Sequence, residues 1–200
     1  MSMADNQKTD GELNYKQVLH KIKKMMVDGV LKSKAPFHLV NLANVGGDGS
    51  PEVRVVVNRR VDFKTRTVIF HTDYRSSKVE EMVKNDSISM LFYSKEDKIQ
   101  VRLRGKATIH HKDDLTSERW EATGNNSRRC YLQEQGSSST LNDDGEISYS
   151  EDHDYGYENF AVVEMKFNSL EYLFLKNTGH KRLHFNWNEK NKVEVSELAP

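Results

Sequence analysis

The sequence predicts a mainly β fold of the α+β type, an antiparallel barrel that carries helices at its ends. Three observations lead there. Short apolar, β-branched runs follow one another with turn chemistry between them, as successive hairpins do. The alternation of strand and helix that marks a parallel sheet is missing, which argues against a Rossmann topology. Helical periodicity is confined to three places: the N-terminal segment, a short stretch after Arg75, and the region after Asp113.

Taken in order, residues 1–12 are polar and are expected to form a flexible N-terminus ahead of one domain spanning 13–200. Tyr15, Val18, Leu19, Ile22, Met25 and Met26 then recur at three-and-four spacing up to Gly29, which predicts an amphipathic helix. Phe37 to Asn44 alternates as a strand, and Gly46-Gly47-Asp48-Gly49 turns the chain back into a second strand, Glu52 to Val61. The runs VRVVV and TVIF, joined by a polar turn with Asp62 and Lys64, read as a hairpin. A short helix follows through Val79, Met82 and Val83, capped by Ser76 or Ser77. Ile88–Tyr93 and Lys98–Ile109 are the next strands, separated by the Ser94–Asp97 turn.

From Asp113 the pattern turns helical, with Leu115 and Trp120 on one face and a break at Gly124-Asn125-Asn126, so two short helices are expected. Residues 136–158, rich in Ser, Gly and acidic side chains, read as a solvated polar loop. Phe160–Phe167, Leu170–Leu175, Arg182–Trp187 and Val193–Val195 restore short strands and close the sheet. The C-terminus is expected to be tied down by the last of them.

Composition narrows the function classes. Thirty Lys plus Arg balance 30 Asp plus Glu, so net charge gives no reason to expect nucleic acid or a membrane surface as partner. A lone cysteine, Cys130, excludes an intrachain disulfide and a CxxC metal site, and fits a reducing compartment; the cytoplasm is the expectation. No apolar run reaches the roughly 18 residues of a membrane helix, and Met1–Asp10 lacks the apolar centre of a signal peptide. His110 and His111 have no partnering Cys/His spacing, so no metal is expected, and Cys130 has no base near it in sequence and is assigned no catalysis.

The chemistry gathers between Arg54 and Lys78. Arg54 and Arg59 bracket one strand, and His71, Thr72, Arg75, Ser76, Ser77 and Lys78 crowd the end of another just before the short helix. A helix N-terminus beside Arg75 and Lys78 is an anion site in outline, with phosphate as the obvious guest. Arg54 and Arg59 lie an odd number apart, so a bulge or strand end must separate them if both are to serve one ligand. Gln100, Arg102 and Arg104 share one strand face, as do Arg182 and His184. Alone, Arg182 and His184 suit a pocket or a plain surface ladder equally well, and Trp120 reads as core before stacking platform.

These motifs resemble the FMN-binding split-barrel family related to pyridoxamine 5'-phosphate oxidase, over about residues 37–200. Arg54-Val55-Val56-Val57-Asn58-Arg59 is similar to the family's flavin strand, with Arg59 in place of the usual Lys. Phe70-His71-Thr72 and Arg75-Ser76-Ser77-Lys78 resemble the segment that holds the FMN phosphate and ribityl chain, and Gln100 resembles the Gln near the flavin ring. Gln135 and Ser137 are placed by the resemblance as a pair reaching the flavin from a second subunit. Arg182-Leu183-His184 matches an Arg-x-His substrate motif, and Leu198-Ala199-Pro200 a common family ending.

The resemblance implies an FMN cofactor, a homodimer with FMN at its interface, and oxidation of a B6 vitamer or similar small molecule with oxygen as acceptor. Arg59, Trp120, Arg128, Arg182 and His184 are the implied substrate-binding residues, and no residue is assigned a catalytic role. The match is uneven. Where the oxidase uses a Tyr, an Arg and a Ser on one helix to hold substrate phosphate, this chain has Trp120, Gly124 and Arg128, with Ser127 one position off. Leu173 and Asn186 replace a Trp and a basic residue. Two further readings therefore stand: a flavin-binding general stress-type protein with little turnover, and a flavin reductase-like electron carrier, for which the chain has no dedicated nucleotide motif.

Overall fold

A computed structural model describes residues 14–137, 139–140, 145–177 and 179–199. Helix α1 (Tyr15–Leu31) opens the fold and is followed by the hairpin β1 (Leu39–Val45) and β2 (Pro51–Val57). A second hairpin, β3 (Arg60–Asp62) and β4 (Thr67–Asp73), leads into α2 (Ser77–Lys84). Strands β5 (Ser87–Ser94) and β6 (Ile99–His110) come next, then α3 (Asp114–Glu121), α4 (Asn125–Arg128) and a 3₁₀ turn at Arg129–Tyr131. Helix α5 (His153–Asn159), β7 (Phe160–Phe174), β8 (Lys181–Trp187) and β9 (Val193–Leu198) complete the chain.

Among the described residues every strand pairing is antiparallel, in the order β2-β1-β5-β6-β7-β4-β3, with β8 and then β9 attached to β7. The sheet is not closed. Strand β7 divides it: residues 160–166 pair with β4 and residues 169–174 with β8, while β6 runs along the other edge of both halves. The register shifts between Arg104 and Gly105 at this fork. Gly105 is required there, because a Cβ would lie 2.2 Å from the Lys166 carbonyl oxygen.

Alternation of apolar residues decides which face is core. Val40 and Leu42, Met90 and Phe92, Val101 and Leu103, and Val68 and Phe70 point inward, where α1 adds Val18, Ile22 and Met26. A second, smaller cluster forms on the opposite face of β4, where Ile69, Tyr131, Phe160 and Val162 pack beneath Leu115 and Trp120. The two faces of β4 therefore both lie beneath other elements, which explains its unbroken apolar run.

Five expectations are corrected. The helix runs past Gly29 to Leu31, because Gly29 marks a close approach to the Phe37 carbonyl, where a Cβ would sit at 2.3 Å, and not a helix stop. The strand expected over Glu52–Val61 breaks at the buried Asn58, whose amide donates to the carbonyls of Met26 and Phe37. VRVVV consequently pairs with β1, and it is β3 that forms the hairpin with TVIF. Two strands expected between Phe160 and Leu175 are one, and the polar stretch 136–158 ends in α5, capped by Asp152 accepting from the Asp154 amide. Its residues 138 and 141–144 lie outside the described residues. The tied-down C-terminal strand, the hairpin succession and the helices after Asp113 stand as expected. No described helix is long and apolar enough to cross a membrane.

Candidate functional site

The end of β4 and the start of α2 build the first cluster. Asp73 and Ser76 shape the corner: Asp73 accepts from the Arg75 amide, and the Ser76 hydroxyl donates to the Asp73 carbonyl. Ser76 stands at the N-cap position but makes no side-chain cap, so the free N–H groups opening α2 remain available to an outside acceptor. Ser77, the other cap candidate, is exposed as the first residue of the helix.

Lys78 is the cation of this corner. Its Nζ donates to Thr72 Oγ1 at 3.2 Å, a neutral acceptor on a buried threonine. Burial lowers its pKa, and the Arg54 charge beside it lowers it further, against Asp73 and Glu81. Arg54 projects from the core face of β2, opposite Leu42, and is steadied by Asn44, by Glu52 at 3.0 Å and by Glu81 at 3.7 Å. A desolvated ammonium beside a guanidinium, at a helix N-terminus with open N–H groups, fits the phosphate end of FMN. Val55 lies on the exposed face of β2 and Val56 and Val57 are half-buried, while Phe70 is sealed in the core and offers only backbone to a ligand.

Arg75 does something else. Its guanidinium is bidentate to Asp73, reaches the Gln133 and Glu134 carbonyls, and contacts the Tyr155 hydroxyl. It fastens the segment after the 3₁₀ turn to the end of β4. Gln135, in that segment, accepts from the Ser148 amide, and Ser137 is exposed; within one chain neither is joined to Lys78 by a hydrogen bond.

The second group lies on the other face of the sheet. Gln100 and Arg102 alternate with buried Ile99, Val101 and Leu103, and the register places Gln100 beside Leu173 and Arg182, and Arg102 beside Glu171 and His184. Glu171 binds both arginines at 2.7 Å. Burial alone would raise its pKa, but the hydrogen bonds from Arg182 and Arg102 outweigh burial and hold it low. His184 Nε2 pairs with Ser169 Oγ at 2.8 Å. One chain thus keeps Arg54 and Lys78 apart from Gln100, Arg182 and His184, on opposite faces of one sheet.

A third group surrounds a cavity of about 190 Å³ between β4 and the α3–α4 turn. Arg59 and His71 line it from the sheet, and Arg119, Thr123 and Ser127 from the helices. Burial, then the charges of Arg59 and Arg119, push His71 down to about 3, so its ring is neutral near pH 7. Trp120 and Arg128 do not line this cavity. Trp120 packs on Tyr131, Tyr157 and Phe160, and Arg128 lies over the indole while donating to the Trp120 carbonyl. Sequence reasoning missed Arg119 and Glu171. Arg119, Thr123 and Ser127 recur every four residues, so reading the two short helices as one periodic face would have found the first.

Comparison with known proteins bears on the fold and the cofactor. Residues 13–111 match the family model for the pyridoxamine 5'-phosphate oxidase FMN-binding domain. A pyridoxine/pyridoxamine 5'-phosphate oxidase of Bartonella quintana is 39% identical over 64 residues, which cover 32% of this chain and 30% of that protein. This chain thus matches less than a third of that relative's length. The whole fold superposes on a pyridoxamine 5'-phosphate oxidase-related FMN-binding protein from Nostoc punctiforme, with a TM-score of 0.74, 19% identity and complete coverage of both chains. It also superposes on PhzG of Burkholderia lata, solved with tetrahydrophenazine-1-carboxylic acid, at a TM-score of 0.67, 19% identity and coverage of 100% and 99%. A Clostridium acetobutylicum protein related to general stress protein 26 gives 0.52 and 12% identity over 80% of this chain and 94% of that one. These matches show that residues 13–111 carry the FMN-binding domain of the pyridoxamine 5'-phosphate oxidase model, so that FMN is the cofactor, and that the whole chain has the fold of the FMN-binding proteins related to that oxidase.

Proposed function

We propose that the chain is an FMN-dependent oxidoreductase that oxidises a B6 vitamer or a similar small molecule, with oxygen as acceptor. The observation that carries this reading is the Lys78 ammonium, half-buried against a neutral hydroxyl at the open N-terminus of α2. Lys78 and the first N–H groups of α2 would hold the FMN phosphate, with Arg54 beside them adding charge. Bound FMN supplies the two-electron oxidation chemistry, and the protein supplies position and charge.

The reading includes a homodimer with the flavin between subunits. Gln100, Arg182 and His184 reach the Arg54–Lys78 corner only if a second copy brings them, since one chain holds the two groups on opposite sheet faces. That face also presents Leu39, Val53 and Val55, each more than half exposed. An uncovered apolar strip of this kind suits a partner sheet.

The test is anaerobic titration of the FMN-loaded protein with pyridoxamine 5'-phosphate, followed by flavin absorbance. Bleaching that recovers in air is expected. A flavin that stays oxidised with this donor would favour the second reading, a flavin-binding general stress-type protein with little turnover. That reading draws on a specific observation: Arg182 is bound to Glu171, and Trp120 and Arg128 serve packing.

A further inference from the structure

We propose that Arg75 is a positioning residue that never touches the cofactor: it occupies the Asp73 carboxylate and so keeps the Lys78 ammonium free for the FMN phosphate. This rests on the reading that Lys78 and the start of α2 hold that phosphate. Asp73 stands where an anion is least suited. It follows Thr72, the acceptor of Lys78, and its carbonyl accepts from both the amide and the hydroxyl of Ser76, the residue ahead of α2. Its side chain is only 10% exposed, so water does little to screen it. Left unpaired, this carboxylate would repel an incoming phosphate and compete with it for Lys78.

Arg75 removes both effects. Its Nε and Nη2 donate to the two Asp73 carboxylate oxygens at 3.0 and 2.7 Å, and its amide donates to one of them at 2.8 Å. A bidentate guanidinium cancels the charge and fixes the direction of the carboxylate together. The remaining guanidinium N–H groups go to the Gln133 and Glu134 carbonyls and the Tyr155 hydroxyl, and none is left over for a phosphate. Gly136 lies against the same side chain, where a Cβ would come within 3.3 Å of Arg75 Cβ. The guanidinium is thus held on both edges, and its influence on a phosphate runs through Asp73.

The same device recurs at a second carboxylate. Glu81 accepts from the Asn44 side-chain amide at 2.7 Å and lies 3.7 Å from Arg54. The Asp73 and Glu81 charges both favour the Lys78 ammonium against its burial, yet each carboxylate is engaged by an arginine. Lys78 is left with the neutral Thr72 hydroxyl as its hydrogen-bond acceptor. The two acids therefore support the charge on Lys78 at a distance, and the two arginines stop either acid from capturing it.

The test uses the full-length protein loaded with flavin and reads affinity without turnover. Dissociation constants are measured from the recovery of free-flavin fluorescence on dilution, for FMN and for riboflavin, which lacks the phosphate. The variants are Arg75→Gln, Arg75→Lys, Asp73→Asn, the double substitution Asp73→Asn with Arg75→Gln, and Lys78→Ala, with melting temperature checked for each. Arg75→Gln is expected to weaken FMN by about tenfold and riboflavin by less than about twofold, because the released carboxylate acts on the phosphate. Arg75→Lys keeps a counter-charge for Asp73 and should stay within about threefold, and the double substitution should recover FMN affinity to within about threefold of the unaltered protein. Equal weakening of FMN and riboflavin by Arg75→Gln, no weakening by it, or a double substitution as weak as Arg75→Gln alone would overturn the proposal. The last result would make Arg75 a direct phosphate ligand or a plain fastener of residues 133–136. Unchanged FMN affinity in Lys78→Ala would sink the underlying reading of the phosphate corner, whereas a loss there with none in Arg75→Gln would sink the role of Arg75 alone.

Discussion

Two cationic clusters occupy opposite faces of the same sheet, and they differ in what balances their charge. On one face Arg102 and Arg182 share Glu171, a buried carboxylate with a hydrogen bond to each. On the other, Arg54 pairs with Glu52 and Glu81, while Lys78 has a neutral hydroxyl as its hydrogen-bond acceptor, with burial and Arg54 opposing its charge and Asp73 and Glu81 favouring it. The first arrangement is complete within the chain. The second leaves Lys78 without an ion pair among the described residues, so an incoming anion would stabilise it, because the cost of desolvating the ammonium is already met in the folded state. Counter-ions, more than the cations themselves, distinguish a structural arginine from a ligand-binding one.

The largest expected effect breaks that comparison directly. Lys78→Ala should weaken FMN by about 1.5–3 kcal/mol, the range for a charged hydrogen bond, whereas Arg182→Ala should leave FMN affinity within about threefold if Glu171 already occupies that guanidinium. Fluorescence titration of the apoprotein measures both. Equal losses would show that the two clusters serve one ligand, and would favour the two-subunit site over the single-chain one.

The second effect concerns His71 and is read in acid. Its folded pKa of about 3 lies below the ordinary 6.5 of the unfolded chain, so between these values the unfolded state binds the extra proton. The stability tied to the neutral ring is present above pH 6.5 and is lost as pH falls. From pH 7.5 to 5 the protein should lose about 2 kcal/mol more than His71→Gln, measured by urea unfolding at each pH. Parallel pH profiles would mean that the ring titrates freely and that the guanidinium charges do not reach it.

The fold was largely legible because hairpin turns and apolar alternation are local signals. GGDG fixed β1 and β2, and the β6 run fixed which of Gln100 and Val101 faces the core. Local signals failed where a distant backbone decided. Gly29 looked like a stop because its partner, the Phe37 carbonyl, is invisible to periodicity, and Asn58 looked like strand although two carbonyls from elsewhere hold it. The same limit applied to the candidate site. Basic residues could be picked out, but Arg75 is consumed by Asp73 and three further acceptors, and Arg128 by Trp120. Only tertiary pairing separates these from Lys78, whose acceptor is a neutral hydroxyl.

The smallest effect sharpens the comparison most, because it converts one kind of cluster into the other. Glu171→Gln removes the shared counter-ion from Arg102 and Arg182 and keeps its shape. Both arginines retain about a third of their side-chain exposure, at 32% and 29%, so water takes up part of the lost interaction and the cost in stability should be only about 1 kcal/mol. The freed Arg182 then resembles Lys78, a cation with neutral partners. If Arg182 belongs to the substrate site, the variant should bind pyridoxal 5'-phosphate more tightly while melting lower, two changes of opposite sign that a purely structural pair does not produce. Lower melting with unchanged affinity would assign Arg102, Glu171 and Arg182 to fastening β6, β7 and β8 together.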